Sequence, residues 1–148
     1  MKIYLAGPLF SIAERDYNKK IATEIIHRFP KSKVYLPQEF LTNLTGNESN
    51  FFQKMFDCCI NAIDSADVIV AILDGPDVDS GTCIELGYAY ANKKPIIGVR
   101  TDLRSLEDNG VNLMVSKVCT EYLLLTEKAE INQDSIASKI IDALKKYS

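Results

Sequence analysis

Runs of consecutive apolar residues alternate along the chain with stretches in which apolar residues recur at helical spacing. The runs occupy residues 2–6, 33–36, 68–73, 95–99 and 122–125, and each has the length of a strand. The middle runs do not alternate between apolar and polar positions, which is typical of parallel strands buried on both faces. The pattern therefore predicts five strands.

Four helices are predicted between and after these strands. Ser11 and Glu14 have the spacing of a capping box, and Pro30 ends the helix that follows them. The predicted helices cover residues 11–29, 50–66, about 81–93 and a last segment from about 134. We predict a polar loop over residues 37–49, which is long for a compact domain and a candidate for a mobile lid.

Strands that alternate with helices favour an α/β fold with a parallel sheet covered on both faces. We predict a flavodoxin-like three-layer sandwich whose five strands have the order 2-1-3-4-5, in one domain over residues 1–148. In that order the direction of winding changes between strands 1 and 3, and ligands bind at such a switch point. The predicted crevice is therefore formed by the loops at residues 7–10 and 74–85.

The composition excludes several classes of function. A net charge of −3, with Lys and Arg scattered over 148 residues, argues against a nucleic-acid partner. The four cysteines have no CxxC spacing and His27 is the only histidine, so we expect reduced thiols and no metal site. No apolar run is long enough for a signal peptide or a membrane span. We expect a cytoplasmic protein that does not bind membranes.

The loop after the third strand concentrates carboxylates. Asp74, Asp77 and Asp79 precede a predicted helix, and Glu85 follows six positions after Asp79. One interpretation is structural, because Thr82 and Glu85 also have capping-box spacing. The other is carboxylate catalysis, in which one carboxylate attacks an acetal-like carbon and a second handles the proton of the leaving group.

The residues needed for cofactor binding, NTP binding or histidine-dependent catalysis are not found in the sequence. The motifs that hold dinucleotides or NTP phosphates are absent, and His27 lies near a helix end, where it favours the helix dipole. We therefore expect no cofactor. For the carboxylate pair, we predict that Glu85 at a helix amino end is ionised, whereas Asp79 between neighbouring acids is pushed toward protonation.

Five segments together resemble one family. They are residues 3–10 (IYLAGPLF), 66–71 (ADVIVA), 77–82 (DVDSGT), 85–89 (ELGYA) and 112–114 (NLM). In this order they resemble the nucleoside 2-deoxyribosyltransferases. The resemblance implies a homo-oligomer that takes a deoxyribonucleoside and a free nucleobase and exchanges the bases through a covalent glycosyl-enzyme intermediate.

The resemblance also implies roles for individual residues. Glu85 becomes the nucleophile, Asp79 the group that contacts the base and shuttles its proton, and Tyr4 the residue that holds the nucleophile by its hydroxyl. Asn112 would reach a sugar hydroxyl in a neighbouring subunit. The full set of implied substrate-binding residues is Gly7, Phe10, Asp77, Gly81, Asn112, Met114 and Cys59.

Cys59 departs from the family pattern. Many relatives carry a sugar-binding aspartate at this position, and a thiol is a poor hydrogen-bond partner for a hydroxyl. The strictness of the preference for 2'-deoxyribose therefore stays open.

Each assigned residue also has a structural interpretation when it is taken alone. Tyr4 fits a strand aromatic, Phe10 a core residue, Asn112 a loop cap and Asp79 a helix cap. Two other functions also stay open: an N-glycosidase acting on 2'-deoxynucleoside 5'-monophosphates, and a non-catalytic nucleotide-binding module on the same fold.

Overall fold

A computed structural model describes residues 1–43, 50–104, 110–126 and 133–148. Five parallel strands form one sheet in the order β2-β1-β3-β4-β5, which confirms the predicted α/β class and strand order. The strands are β1 (Lys2–Ala6), β2 (Lys33–Tyr35), β3 (Val68–Ile72), β4 (Ile96–Arg100) and β5 (Glu121–Leu124).

The helices within these described segments cover both faces of the sheet. They are α1 (Ile12–Arg28), α2 (Pro37–Asn43), α3 (Phe51–Ser65), α4 (Ser80–Ala91), α5 (Leu113–Val118) and α6 (Gln133–Leu144). Ser11 and Glu14 form the predicted capping box at the start of α1. None of these helices has the length and apolarity of a membrane span.

The prediction of a loop over residues 37–49 is wrong for its first half, where the chain forms α2. Pro37 stands at the first helical position, where its fixed φ suits a helix and its missing N–H costs nothing. Phe40 packs against the core on the inner side of this helix. Residues 44–49, the rest of the predicted loop, lie outside the described residues.

Alternate residues of each strand face opposite layers of the sandwich. Ile3 and Leu5 of β1 face the core shared with α1 and α6, whereas Tyr4 and Ala6 face the core beneath α3, α4 and α5. Residue 4 of the chain is therefore buried on the same side of the sheet as α4, the helix that carries Glu85.

Candidate active site

The crevice at the switch point lies where the loops after β1 and β3 leave the same edge of the sheet. The two strands are hydrogen-bonded neighbours, with Ala6 paired to Ala71. Gly7 is buried and has a φ of +156°, and a Cβ built on it would lie 3.0 Å from Cβ of Ile72. Glycine at this position therefore lets the first loop pass close to the end of β3.

The loop after β3 is anchored by a residue that sequence reasoning overlooked. Arg100 ends β4 and is fully buried, and its guanidinium donates to the carbonyls of Leu73 (2.6 Å) and Gly75 (3.3 Å). A cation at the end of an otherwise apolar strand was the available signal for this role. The buried guanidinium satisfies the loop carbonyls that would otherwise lose their hydrogen bonds.

All three loop aspartates accept hydrogen bonds from the chain, and two of them act outside helix α4. Asp74 accepts hydrogen bonds from the N–H of Thr101 (2.6 Å) and from its hydroxyl (2.5 Å). Asp77 is exposed and accepts from the N–H of Val78 at 3.0 Å. Asp74 thus ties the loop after β3 to the chain that follows β4.

Asp79 is the N-cap of α4. Its Oδ2 accepts from the N–H of Thr82 at 2.8 Å and from the hydroxyl of Thr82 at 3.1 Å. The structural interpretation of Thr82 and Glu85 as a capping box is therefore wrong, because the helix begins at Ser80 and Thr82 lies within its first turn. Gly81 leaves room for the cap, since a Cβ there would lie 3.1 Å from Oδ2 of Asp79.

Glu85 consequently lies in the second turn, where it turns toward the sheet. The fully buried Tyr4 donates a 2.6 Å hydrogen bond from its hydroxyl to Oε1 of Glu85. Burial raises the pKa of Tyr4, and the charge of Glu85 raises it further, so the tyrosine is a neutral donor. This contact joins the first strand of the protein to a residue 81 positions later.

The surroundings of Glu85 work against the ionised state that was predicted for it. Burial raises the pKa of Glu85 to about 7, the hydrogen bond from Tyr4 opposes this shift, and the negative charge of Asp79 adds to it. Glu85 is therefore not simply an anion at a helix amino end. Its pKa near neutrality allows it to gain or lose a proton under physiological conditions.

Cys59 of α3 belongs to the same cluster. Its thiol interacts with the hydroxyl of Tyr4 and with Glu85, and burial raises the pKa of the thiol. The side chain is therefore a neutral thiol beside the Tyr4–Glu85 pair. Three elements, β1, α3 and α4, thus meet around one carboxyl group.

The remaining predicted site residues lie at the surface of the chain. Phe10 is 73% exposed, which does not fit the alternative of a core residue, and Met114 is 71% exposed. Asn112 caps α5, accepting from the N–H of Met114 at 2.9 Å. Within one chain the structure brings together Tyr4, Cys59, Asp79 and Glu85.

In the described part of the chain, no group of three or more His, Cys, Asp or Glu side chains is arranged so that it could hold a metal ion. The chemistry available to the cluster is that of two carboxyl groups, one with its pKa raised to about 7, and a neutral phenol. That set suits nucleophilic attack combined with proton transfer.

Comparisons with known proteins identify the family to which the chain is similar. A family model described as nucleoside 2-deoxyribosyltransferase matches residues 3–121. A nucleoside deoxyribosyltransferase of Limosilactobacillus fermentum is 33% identical over 131 residues, which are 82% of this chain and 78% of that protein. An uncharacterized protein of Ureaplasma parvum serovar 3 is 35% identical over 104 residues, which are 65% of this chain and 63% of that protein.

Among solved structures, the 2-deoxyribosyltransferase of Bacillus psychrosaccharolyticus superposes with a TM-score of 0.69 at 25% identity. The superposition covers 87% of this chain and 94% of that one.

Proposed function

The chain belongs to the nucleoside 2-deoxyribosyltransferase family, and we propose that it exchanges the nucleobase of a 2'-deoxyribonucleoside through a covalent intermediate on Glu85. The observation that carries this proposal is the hydrogen bond from buried Tyr4 to Glu85, beside a second carboxyl group at Asp79. The Tyr4 bond occupies Oε1, so we assign Oε2 of Glu85 to the attack.

In the first step Oε2 of Glu85 bonds to C1' as the bond from C1' to the base nitrogen breaks, and the electron pair of that bond passes to the base. This step requires Asp79 in its protonated form, and the proton of its carboxyl group neutralises the departing base. A second base then attacks C1' with a nitrogen lone pair, Glu85 leaves as a carboxylate, and the N–H proton of the incoming base returns to Asp79. Because both described bonds of Asp79 end on Oδ2, we assign its Oδ1 to this proton transfer.

The test is an exchange assay with 2'-deoxyadenosine and free thymine, and with thymidine and free adenine, followed by chromatography. We expect the swapped nucleoside, and we expect Glu85→Gln to reduce exchange by at least a thousandfold. The glutamine keeps an acceptor for Tyr4 but is not a nucleophile. Near-full exchange by this variant, or the absence of a sugar adduct on Glu85 in mass spectrometry of the trapped protein, would refute the proposal.

The loop after β1 favours a nucleoside over a nucleoside 5'-monophosphate. Arg15, its nearest guanidinium, donates to the carbonyls of Leu9 (3.0 Å) and Phe10 (2.9 Å). The N–H groups of Phe10 and Ser11 donate to the chain's own Glu14. These donors of the loop after β1 are therefore already engaged within the chain, which supports the transferase above the monophosphate N-glycosidase.

We also propose a homo-oligomer in which Asn112 completes the site of a neighbouring subunit. Helix α4 packs between α3 and α5, and all three helices carry large apolar side chains that are exposed in the single chain. These side chains are Phe52, Phe56, Ile84, Leu113 and Met114. Exposed apolar side chains on the helices that carry site residues suit burial against a second copy.

A mixing experiment tests the shared site. Glu85→Gln and Asn112→Ala should each be inactive alone, because each lacks one half of every site. A mixture that has exchanged subunits should regain exchange activity, since some sites then combine an intact Glu85 with an intact Asn112. A mixture that stays inactive although the subunits have exchanged would exclude the shared site.

A further inference from the structure

We propose that Arg100 is a positioning residue that holds two parts of the site at once: the loop after β3, which leads to Asp79, and the segment that leads to Asn112. This role rests on the proposed function and deepens it, because it names the residue that keeps these two site residues in place. Arg100 is a fully buried cation that the proposed chemistry does not use.

The buried charge of Arg100 is solvated by the backbone. Taking a cation out of water is costly unless hydrogen bonds replace the water, and among the described residues no carboxylate forms an ion pair with this guanidinium. Its Nη1 donates to the carbonyl of Leu73 at 2.6 Å, and its Nη2 donates to the carbonyls of Gly75 and Arg104, each at 3.3 Å. One side chain thus joins the loop after β3 to the chain that follows β4.

The carbonyl of Gly75 lies at a tight turn just ahead of Asp79, the N-cap of α4. Gly75 has a φ of +125°, and a Cβ built on it would lie 2.8 Å from the carbonyl oxygen of Asp77. The N–H of Gly75 donates to Asp102 at 3.0 Å. Both polar backbone groups of Gly75 are therefore held from the end of β4, which fixes the path of the chain to Asp79.

The backbone of Gly110 packs against the same guanidinium. Gly110 is buried with a φ of +99°, and a Cβ built on it would lie 2.7 Å from Nε and 3.2 Å from Cδ of Arg100. This Nε finds no acceptor among the described residues, so it contributes packing rather than a hydrogen bond. Gly110 leads through the buried Val111 to Asn112, the N-cap of α5. Arg100 therefore also supports the start of α5.

In the proposed oligomer these contacts act on two different sites. Asp79 serves the site of its own chain, whereas Asn112 serves the site of a neighbouring subunit. Each Arg100 thus supports two sites. Its loss should damage one of them through the loop after β3 and the other through the displaced Asn112.

Arg100→Met removes every donor and keeps an unbranched side chain. We expect kcat/KM for base exchange to fall about a hundredfold, as misplaced groups in a site typically cause. The pH below which the rate falls should stay near 7, because the bond from Tyr4 to Glu85 is untouched. A general loosening of the fold would rehydrate Glu85 and lower that pH.

Arg100→Lys is the conservative variant, and Arg28→Met is the matched control. Lysine keeps the charge but lacks the planar fork that reaches several carbonyls, so its rate should lie between those of wild type and Arg100→Met. It also carries all the tests if Arg100→Met does not fold. Arg28 is exposed at the end of α1, and its substitution should change kcat/KM less than twofold. A wild-type rate in folded Arg100→Met overturns the proposal.

Subunit mixing distinguishes one site from two. When Arg100→Met is mixed with Glu85→Gln, every intact Glu85 belongs to a chain that lacks Arg100. When it is mixed with Asn112→Ala, every intact Asn112 comes from such a chain. Both mixtures should stay at least tenfold less active than the mixture of Glu85→Gln with Asn112→Ala. Full recovery in either one would assign Arg100 to a single site and overturn the proposal.

Amide hydrogen exchange decides the role of Arg100 even if the wild-type protein shows no base exchange, in which case only the transferase proposal fails. In Arg100→Met the amides of residues 73–79 and 110–112 should both exchange faster than in wild type, whereas those of α1 should not. Gly110→Ala should speed exchange in residues 73–79 by pushing on the guanidinium.

A double variant tests whether Arg100 transmits that effect. In Arg100→Met combined with Gly110→Ala, the second substitution should add nothing at residues 73–79, because the side chain that joins the two segments is gone. Additive effects there, or faster exchange in only one segment of Arg100→Met, overturn the proposal.

Discussion

Replacing Tyr4 by phenylalanine tests the central contact of the site. The change removes one oxygen from a fully buried ring and deletes the 2.6 Å hydrogen bond to Glu85. A hydrogen bond to a charged group contributes about 1.5–3 kcal/mol, which at 1.36 kcal/mol per pH unit corresponds to about one to two units. Because the bond from Tyr4 lowers the pKa of Glu85 against its burial, losing it should raise that pKa above its present value of about 7.

The pH dependence of kcat/KM for base exchange reports this pKa in the free enzyme. The proposed attack on C1' requires ionised Glu85, so the wild-type rate should fall on the acid side of about pH 7. In Tyr4→Phe the acid limb of this pH profile, where kcat/KM falls, should move to higher pH by about one to two pH units. This shift lowers kcat/KM at pH 7 by about 5- to 50-fold. Much of the loss should be recovered at pH 9.

Tyr17→Phe is the matched control, because Tyr17 has a buried hydroxyl for which no partner is found among the described residues. It should leave the acid limb in place. If Tyr4→Phe also leaves the limb near pH 7, or lowers the rate equally at every pH, the hydrogen bond does not set the ionisation of Glu85 and the reasoning fails.

Three further predictions follow from the same contacts. Glu85 has a pKa of about 7 in the fold against 4.5 ordinarily, so its contribution to stability is complete below pH 4.5 and is lost as pH rises through 7, on the order of 3 kcal/mol. In urea unfolding, Glu85→Gln should therefore exceed wild type at pH 8 and match it at pH 4, and equal stability at pH 8 would contradict this. Cys59→Asp adds a negative charge beside Glu85 and should move the acid limb of the rate profile upward, whereas Cys59→Ser should not; identical profiles would show that position 59 is too distant to act. In Gly98→Ala the new Cβ would lie 2.6 Å from Sγ of Cys119, and this overpacking should lower the free energy of unfolding by about 1–3 kcal/mol; an unchanged urea midpoint would mean that the sulfur moves aside freely.

The fold could be predicted because its strongest determinant is local. Strands β3 and β4 are buried at every residue and β1 at every residue except Lys2, and burial on both faces requires helices on both sides. The chain order of strands and helices then leaves few arrangements, since crossovers between parallel strands are right-handed. The switch point between β1 and β3 followed from that order.

Helix α2 could not be predicted in the same way, because it is held by contacts with residues that are distant from it in the sequence. Gln38 donates to the carbonyl of Arg15 at 2.9 Å and accepts from Asn18 at 3.3 Å, so α2 is tied to α1. A short helix of this kind is stabilised mainly by tertiary packing rather than by its own propensity.

The start of α4 shows how close the two interpretations of one sequence can be. Both Asp79 and Thr82 are good N-cap residues, and only the observed bond from the N–H of Thr82 to Asp79 decides between them. The three-residue difference moves Glu85 from the first turn to the second. It thereby replaces an exposed position near the helix dipole with a half-buried one against Tyr4.

The burial that raises the pKa of Glu85 also connects its proposed catalytic role to folding. Tyr4 comes from β1, Cys59 from α3 and Glu85 from α4, so the carboxyl group loses water only when all three elements are docked. An ionised Glu85 then opposes that docking, because its charge is poorly solvated in the folded state. A sugar whose C1' gains positive character would relieve this penalty in the transition state, where the buried carboxylate acquires an opposite charge. The poorly solvated charge of Glu85 should therefore increase the rate of exchange and lower the stability of the fold. A Glu85→Gln protein that is more stable than wild type but has no exchange activity would show this trade-off.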